Sequence, residues 1–125
     1  MTDSLLPRAA NTILYCRRWR ETVDFYRQVL GLEIRFENDW FVEFHLTDGA
    51  HLSIADETRA SIASVAGQGV TLALRVDDVD AARHWLRARG AGPGPVHHHG
   101  WGARVCYFHD PEGHRLELWS PDPPA

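Results

Sequence analysis

The chain has no lysine: all 13 of its Lys+Arg residues are arginine. Schiff-base chemistry, a tethered pyridoxal cofactor and a phosphate-loop lysine are thereby excluded, since each needs a lysine amine. Cysteine is also scarce. The two present, Cys16 and Cys106, sit inside apolar, strand-like runs. A disulfide between them is one reading; two buried free thiols in a reducing cytoplasm is the expected one. No apolar run approaches the ~20 residues that span a bilayer. Residues 1–10 lack the apolar core of a signal peptide. A cytoplasmic protein with no membrane partner is therefore expected. Positive charge is thinly spread, with Arg17, Arg18 and Arg20 its densest group, and the formal net charge is −4. Nucleic acid is not an expected partner.

What is present fits one globular domain over residues 1–125, with 44% hydrophobic and 24% charged residues. Residues 12–17 (TILYCR) read as a strand. In 21–30, Thr22, Phe25, Tyr26, Val29 and Leu30 recur at the spacing of one helix face, and Gly31 is placed to end the helix. Strands follow at 33–37, 40–47 and 51–55, the last two joined through Asp48-Gly49. The order then repeats. Residues 70–76 read as a strand, and Asp77 or Asp78 caps a helix that runs to about Arg89. A short strand at 96–99 and strands at 103–109 and 114–119 complete the set, the last two joined by Asp110-Pro111-Glu112-Gly113. The proline-rich tail from Pro121 is not expected to add to a sheet. The fold class is therefore α+β: two paired β-α-β-β-β modules, 11–56 and 70–120, whose sheets meet edge to edge as one curved mixed sheet with helices outside.

Period-two alternation assigns the strand faces. The core face carries Val42, Phe44 and Leu46; Leu52 and Ile54; Val70, Leu72, Leu74 and Val76; Cys106 and Phe108; Leu116 and Leu118. The opposite face mixes aromatic and ionisable groups: Asn11, Ile13 and Tyr15; Phe41, Glu43 and His45; His51 and Ser53; Thr71, Ala73 and Arg75; Val105, Tyr107 and His109; Arg115, Glu117 and Trp119. Such a mixture marks a ligand trough, against the alternative of an ordinary solvated sheet face.

Three segments carry a resemblance: ETVDFYRQVLGL at 21–32, VDDVD at 76–80 and FHDPEGHRLELW at 108–119. In that order and spacing the chain resembles the vicinal-oxygen-chelate superfamily of glyoxalases, bleomycin-resistance proteins and extradiol dioxygenases. The resemblance implies paired β-α-β-β-β modules around a cleft. Metal-using members of that superfamily draw ligands from three inward positions, which here fall on Asn11, Thr71 and Glu117. Neither Asn11 nor Thr71 is a good divalent-metal ligand. The pattern is therefore similar to the metal-free members that sequester drugs or hydrophobic metabolites, and no cofactor is expected. The remaining metal alternative is an irregular site of His45, His51 and Glu117. Trp101-Gly102, ahead of the seventh strand, looks like the ligand-stacking tryptophan of bleomycin-binding proteins, and Tyr107 matches an inward position that contacts substrate in fosfomycin-resistance relatives. A homodimer with two clefts is implied as well.

The expected ligand contacts are Asn11, Tyr15, His51, Thr71, Arg75, Trp101, Tyr107 and Glu117. Glu117 is expected either to pair with Arg75 or Arg115 or to act as an acid–base group with Tyr107, the two catalytic candidates. Consecutive strand residues alternate faces, so His97-His98-His99 cannot ligate one ion together; the run is expected to be mostly exposed. His114 is assigned to the hairpin, and Trp19, Trp40 and Trp85 to packing. Three functions remain open: a metal-independent binder of a partly aromatic metabolite or antibiotic; a lyase, isomerase or dioxygenase of the same fold; and a dimeric structural or regulatory module without ligand.

Overall fold

A computed structural model of the chain describes residues 3–123. The two modules follow one another in the expected order. The first is β1 (Ala10–Cys16), α1 (Trp19–Asp24) continued by a π-helical turn (Phe25–Val29), β2 (Ile34–Glu37), β3 (Phe41–Thr47) and β4 (Ala50–Asp56). The second is β5 (Thr71–Arg75), α2 (Val79–Ala88), β6 (His97–His99), β7 (Ala103–His109) and β8 (Arg115–Pro121). Each module folds into a four-stranded sheet, ordered β1-β4-β3-β2 and β5-β8-β7-β6. In each, the first strand lies parallel to the last; a parallel pair needs a long crossover, which the intervening helix and strands supply. Among the described residues no strand of one sheet is hydrogen-bonded to the other, so they remain two mixed sheets rather than one continuous sheet.

The two sheets share one apolar core. Val42, Phe44, Leu52, Ile54, Cys106, Phe108, Leu116 and Leu118 are buried in it, as the alternation predicts. Phe25, at the start of the π-helical turn that continues α1, reaches across to Phe108, ring centroids 6.2 Å apart, so this helical segment is packed on the second sheet too. Burying such a ring stabilises by roughly 2–3 kcal/mol. Val70 departs from its predicted place: it is 46% exposed. The chain enters β5 only at Thr71, and Val70 belongs to the linker beside it. Cys16 and Cys106 are both buried and free.

The helix boundaries have identifiable causes. α1 begins at Trp19, two residues ahead of the expected start, although Arg18 offers no side-chain cap. The cap comes from far along the chain: the Glu112 carboxylate accepts the Arg17 and Arg18 amides at 3.0 and 2.8 Å. Trp19 is fixed by packing and by its indole N–H, which donates to the Ile54 carbonyl at 2.9 Å. At the other end the helix widens, with the Leu30 amide donating to the Phe25 carbonyl. That turn lets the consecutive Phe25 and Tyr26 both be buried, edge to face at 5.4 Å. α2 is capped locally, as expected of one of the two aspartates: Asp78 accepts the amides of Asp80 and Ala81. Trp85 is 44% exposed, covered by Arg89, whose guanidinium lies 4.4 Å over the ring. The proline-rich tail does contribute one residue to the sheet, Pro121 pairing with Ala103 at the end of β8. A terminal strand position tolerates the missing N–H.

Candidate ligand trough

The aromatic-ionisable residues form two faces, one per sheet. On the first, cross-strand register sets Asn11, His51 and His45 in one row, then Ile13, Ser53 and Glu43, then Tyr15, Ala55 and Phe41. The Ser53 hydroxyl donates to Asn11 Oδ1 at 2.8 Å. Arg35, from β2, contacts His51 Nε2 and lies 3.9 Å from Glu43; sequence reasoning had not placed it here, because a bulge shifts the β2 register. Ile13, Tyr15 and Phe41 also line a cleft of 330 Å³ closed by residues 59–61.

The second face holds the rest. Thr71, Arg115 and His109 form one row, Ala73, Glu117 and Tyr107 the next, and Arg75, Trp119, Val105 and His97 the third. Trp101 is 69% exposed; it stacks on His99 at 5.9 Å and meets Trp119 edge-on at 6.0 Å. Strand alternation divides the histidine run: His97 and His99 lie on this aromatic side, while His98 turns away and bonds Asp122 at 2.6 Å. Asn11, Tyr15 and His51 therefore share one sheet, and Thr71, Arg75, Tyr107 and Glu117 the other, with Trp101 beside it in the turn between β6 and β7.

Two expectations are corrected. Glu117 pairs with neither arginine; it is half-buried and has no hydrogen bond or ion pair among the described residues. The arginines have better partners. The Arg75 guanidinium lies 5.5 Å over Trp119, and that of Arg115 lies 4.5 Å over Tyr107 while its Nε donates to Thr71 Oγ1 at 2.9 Å. Stacking on a ring face holds a guanidinium without a carboxylate. Within one chain the metal alternative of His45, His51 and Glu117 is not brought together: the histidines are on the first sheet and Glu117 on the second. Among the described residues no three His, Cys, Asp or Glu side chains are grouped to hold an ion. Asn11 and Thr71 already serve as acceptors for Ser53 and Arg115, so within one chain they do not form a divalent-metal donor set with Glu117.

Beneath the two faces lies a polar joint that sequence reasoning read only as a turn. Asp110 Oδ1 accepts the amides of Glu112, Gly113 and His114, and Oδ2 takes the Tyr26 hydroxyl at 2.7 Å and His114 Nδ1 at 2.8 Å. Burial, then the Asp110 charge, pushes the Tyr26 hydroxyl well above its ordinary pKa. Burial, with Glu112 and Asp110 nearby, pushes the Cys16 thiol up, so it stays an inert thiol. Glu112 is itself buried. Burial alone would raise its pKa, but the hydrogen bonds from Ser64 and the Arg17 and Arg18 amides, with His114 close by, outweigh it and hold the carboxyl below its usual value. A depressed carboxyl stabilises the fold above its unfolded pKa of about 4.3 and loses that contribution as pH falls through the lower folded value. Unfolding measured from pH 7 to 3 should therefore show Glu112→Gln less stable than wild type near neutrality and converging with it in acid. A constant gap across that range would refute this role.

The glyoxalase/bleomycin resistance protein/dioxygenase family model matches residues 8–118. The chain belongs to that superfamily. Solved members and relatives share its fold over nearly the whole length. A glyoxalase/bleomycin resistance protein/dioxygenase from Nocardioides superposes with a TM-score of 0.80 at 24% identity, covering 99% of this chain and 89% of that one. TnmS3, an antibiotic binding protein from Streptomyces sp. CB03234, gives 0.78 at 22% identity, covering 95% and 99%. A lactoylglutathione lyase from Agrobacterium tumefaciens gives 0.74 at 21%, covering 95% and 94%. In this superfamily member no described helix is long and apolar enough to cross a membrane.

Proposed function

We propose that this glyoxalase/bleomycin-resistance-type protein is a metal-independent, cytoplasmic small-molecule binder that holds a partly aromatic metabolite or antibiotic. The observation that carries the reading is the aromatic wall of the second sheet. Trp101, largely exposed, already stacks on His99 beside Trp119. A planar guest can take that exposed face, and Arg75, Arg115 and Glu117 can orient its polar groups. The antibiotic-binding neighbour TnmS3 is of the same functional class. The protein acts as a homodimer. β1 and β5 are open edges of their sheets, and Ile13, Ile62, Val65 and Val70 are exposed near them. A second copy placing its β5 beside β1 would bring a first-sheet face and a second-sheet face together and cover that apolar margin.

Titration of tryptophan fluorescence with planar drugs and aromatic metabolites tests the reading. Quenching is expected for some of the panel, and Trp101→Ala should weaken that binding about 10-fold. No response across a broad panel would leave the ligand-free module standing. Stoichiometric Fe, Mn, Ni or Zn in protein purified without a tag would defeat metal independence, and a monomeric mass in solution would defeat the dimer. One observation favours a second reading, a lyase, isomerase or dioxygenase. Glu117, without a partner, lies directly across from Tyr107, so a carboxylate base and a phenolic acid share one row. Turnover of α-keto or catechol compounds that Glu117→Gln abolishes would establish it.

A further inference from the structure

Arg115 is pinned on two sides without an acid. Its guanidinium lies 4.5 Å over Tyr107, and its Nε donates to Thr71 Oγ1 at 2.9 Å. Neither contact uses Nη1 or Nη2, and no hydrogen bond or ion pair reaches them among the described residues. Those two nitrogens form the end-on fork that matches a carboxylate or a phosphate. Glu117, two residues along β8 on the same face, does not pair with it. Asp110 and Glu112, in the adjoining hairpin, are buried in the joint below. Arg115 lines a polar pocket of 450 Å³ at the end of the second-sheet face. The other polar side chains there are Gln68, Thr71 and His109, and no Asp or Glu lines it. His109 lies directly across from Arg115 in the β7–β8 pair. Val70 marks the edge of the pocket, where the second copy proposed above would lie. Arg115 and His109 are one and two strands in from that open β5 edge. Of the first-sheet rows that such a copy would bring in, the carboxylate is Glu43, 3.9 Å from its own Arg35.

We propose that the trough ligand is an aromatic anion, with its planar part on Trp101 and Trp119 and its carboxylate or phosphate group on the Arg115 fork. This names the ligand class of the trough reading above and rests on it. A held cation in an acid-free pocket attracts an anion, and holding the guanidinium beforehand lowers the ordering cost of pairing it. The strand sets the length of the guest. Trp119 is four residues along β8 from Arg115, about 13 Å at the usual strand rise. Arg115 leans one row toward it to cover Tyr107, which leaves roughly 7 Å between ring and anionic group. A tether of three or four atoms spans that gap.

The test titrates the full chain, by calorimetry, with 4-(2-naphthyl)butyrate and its neutral match 4-(2-naphthyl)butan-1-ol. The acid should bind about 10-fold more tightly, the value of one charge-assisted contact at an open site. Arg115→Gln should bring the acid down to the alcohol and leave the alcohol unchanged. Arg115→Lys, which keeps the charge and loses the fork, should recover part of the preference. A second measurement needs no variant: in 15N-labelled wild type, inorganic phosphate should shift the Arg115 Nε–Hε resonance saturably. Equal binding of acid and alcohol, or a preference that survives Arg115→Gln, would overturn the proposal and leave the trough reading standing. So would a phosphate titration that leaves the Arg115 resonance unmoved, as when a carboxylate of a second copy already holds the fork. Phosphate moving Arg115 while neither naphthyl compound binds would overturn the aromatic half, and the trough reading with it, while establishing the anion fork.

Discussion

Asp110→Ala should lower stability by about 4 kcal/mol, the largest loss expected of any single substitution outside the apolar core. The side chain is buried and accepts five hydrogen bonds, three from backbone amides of its own turn and two from Tyr26 and His114. Alanine removes the acceptor and leaves those donors behind. A buried donor without a partner costs about 1–3 kcal/mol, and water admitted to the gap recovers part of the sum. The loss also reaches across the molecule, because Tyr26 ties the π-helical turn of the first module to the hairpin of the second. Tyr26→Phe is the informative comparison: it deletes one donor and leaves Asp110 four others, so about 1 kcal/mol is expected. Urea unfolding of both variants checks the difference, and a loss below about 1 kcal/mol for Asp110→Ala would show that the joint contributes little.

That joint marks the boundary of what the sequence discloses. Strand faces, the module repeat, the Asp78 cap and the Asp110–Gly113 turn all depend on residues a few positions apart, where period and turn chemistry operate. The contacts of Asp110 with Tyr26, and of Glu112 with the Arg18 amide, cross 84 and 94 positions. No local pattern announces them, and the early start of α1 was missed for the same reason. The candidate site divides the same way. Alternation set Asn11, His51, Thr71, Tyr107 and Glu117 together opposite the core, and the strand pairing divides them between the two sheets. Alternation could not say that Arg75 and Arg115 choose ring faces over Glu117, since a stacked and an ion-paired guanidinium look alike in a face assignment. Nor could it separate one face from two, because that depends on which strand edges remain open.

Gly67→Ala should be nearly as damaging as the loss of Asp110, by a different route. A Cβ at Gly67 would lie 2.5 Å from the Gly113 carbonyl carbon and oxygen and from the His114 amide nitrogen. These are backbone atoms of the same turn that Asp110 holds, so neither side can yield cheaply. The approach is reciprocal: a Cβ at Gly113 would meet the Ala66 carbonyl oxygen at 2.6 Å. Linker and hairpin are interlocked glycine against glycine, and the interlock borders the Arg115 pocket, which Gly67 and Gly113 help to line. Gly67 also sits at φ +79, where any side chain is strained by about 1 kcal/mol. Strain and contact are separable, because Gly69 has φ +80 with nothing within 4 Å of its would-be Cβ. Gly69→Ala should therefore lose about 1 kcal/mol and Gly67→Ala about 3 kcal/mol or more. Thermal unfolding of the pair isolates the close approach. Equal losses would mean that the linker moves aside freely and that the two modules are held together by the apolar core and the Tyr26–Asp110 bond without it.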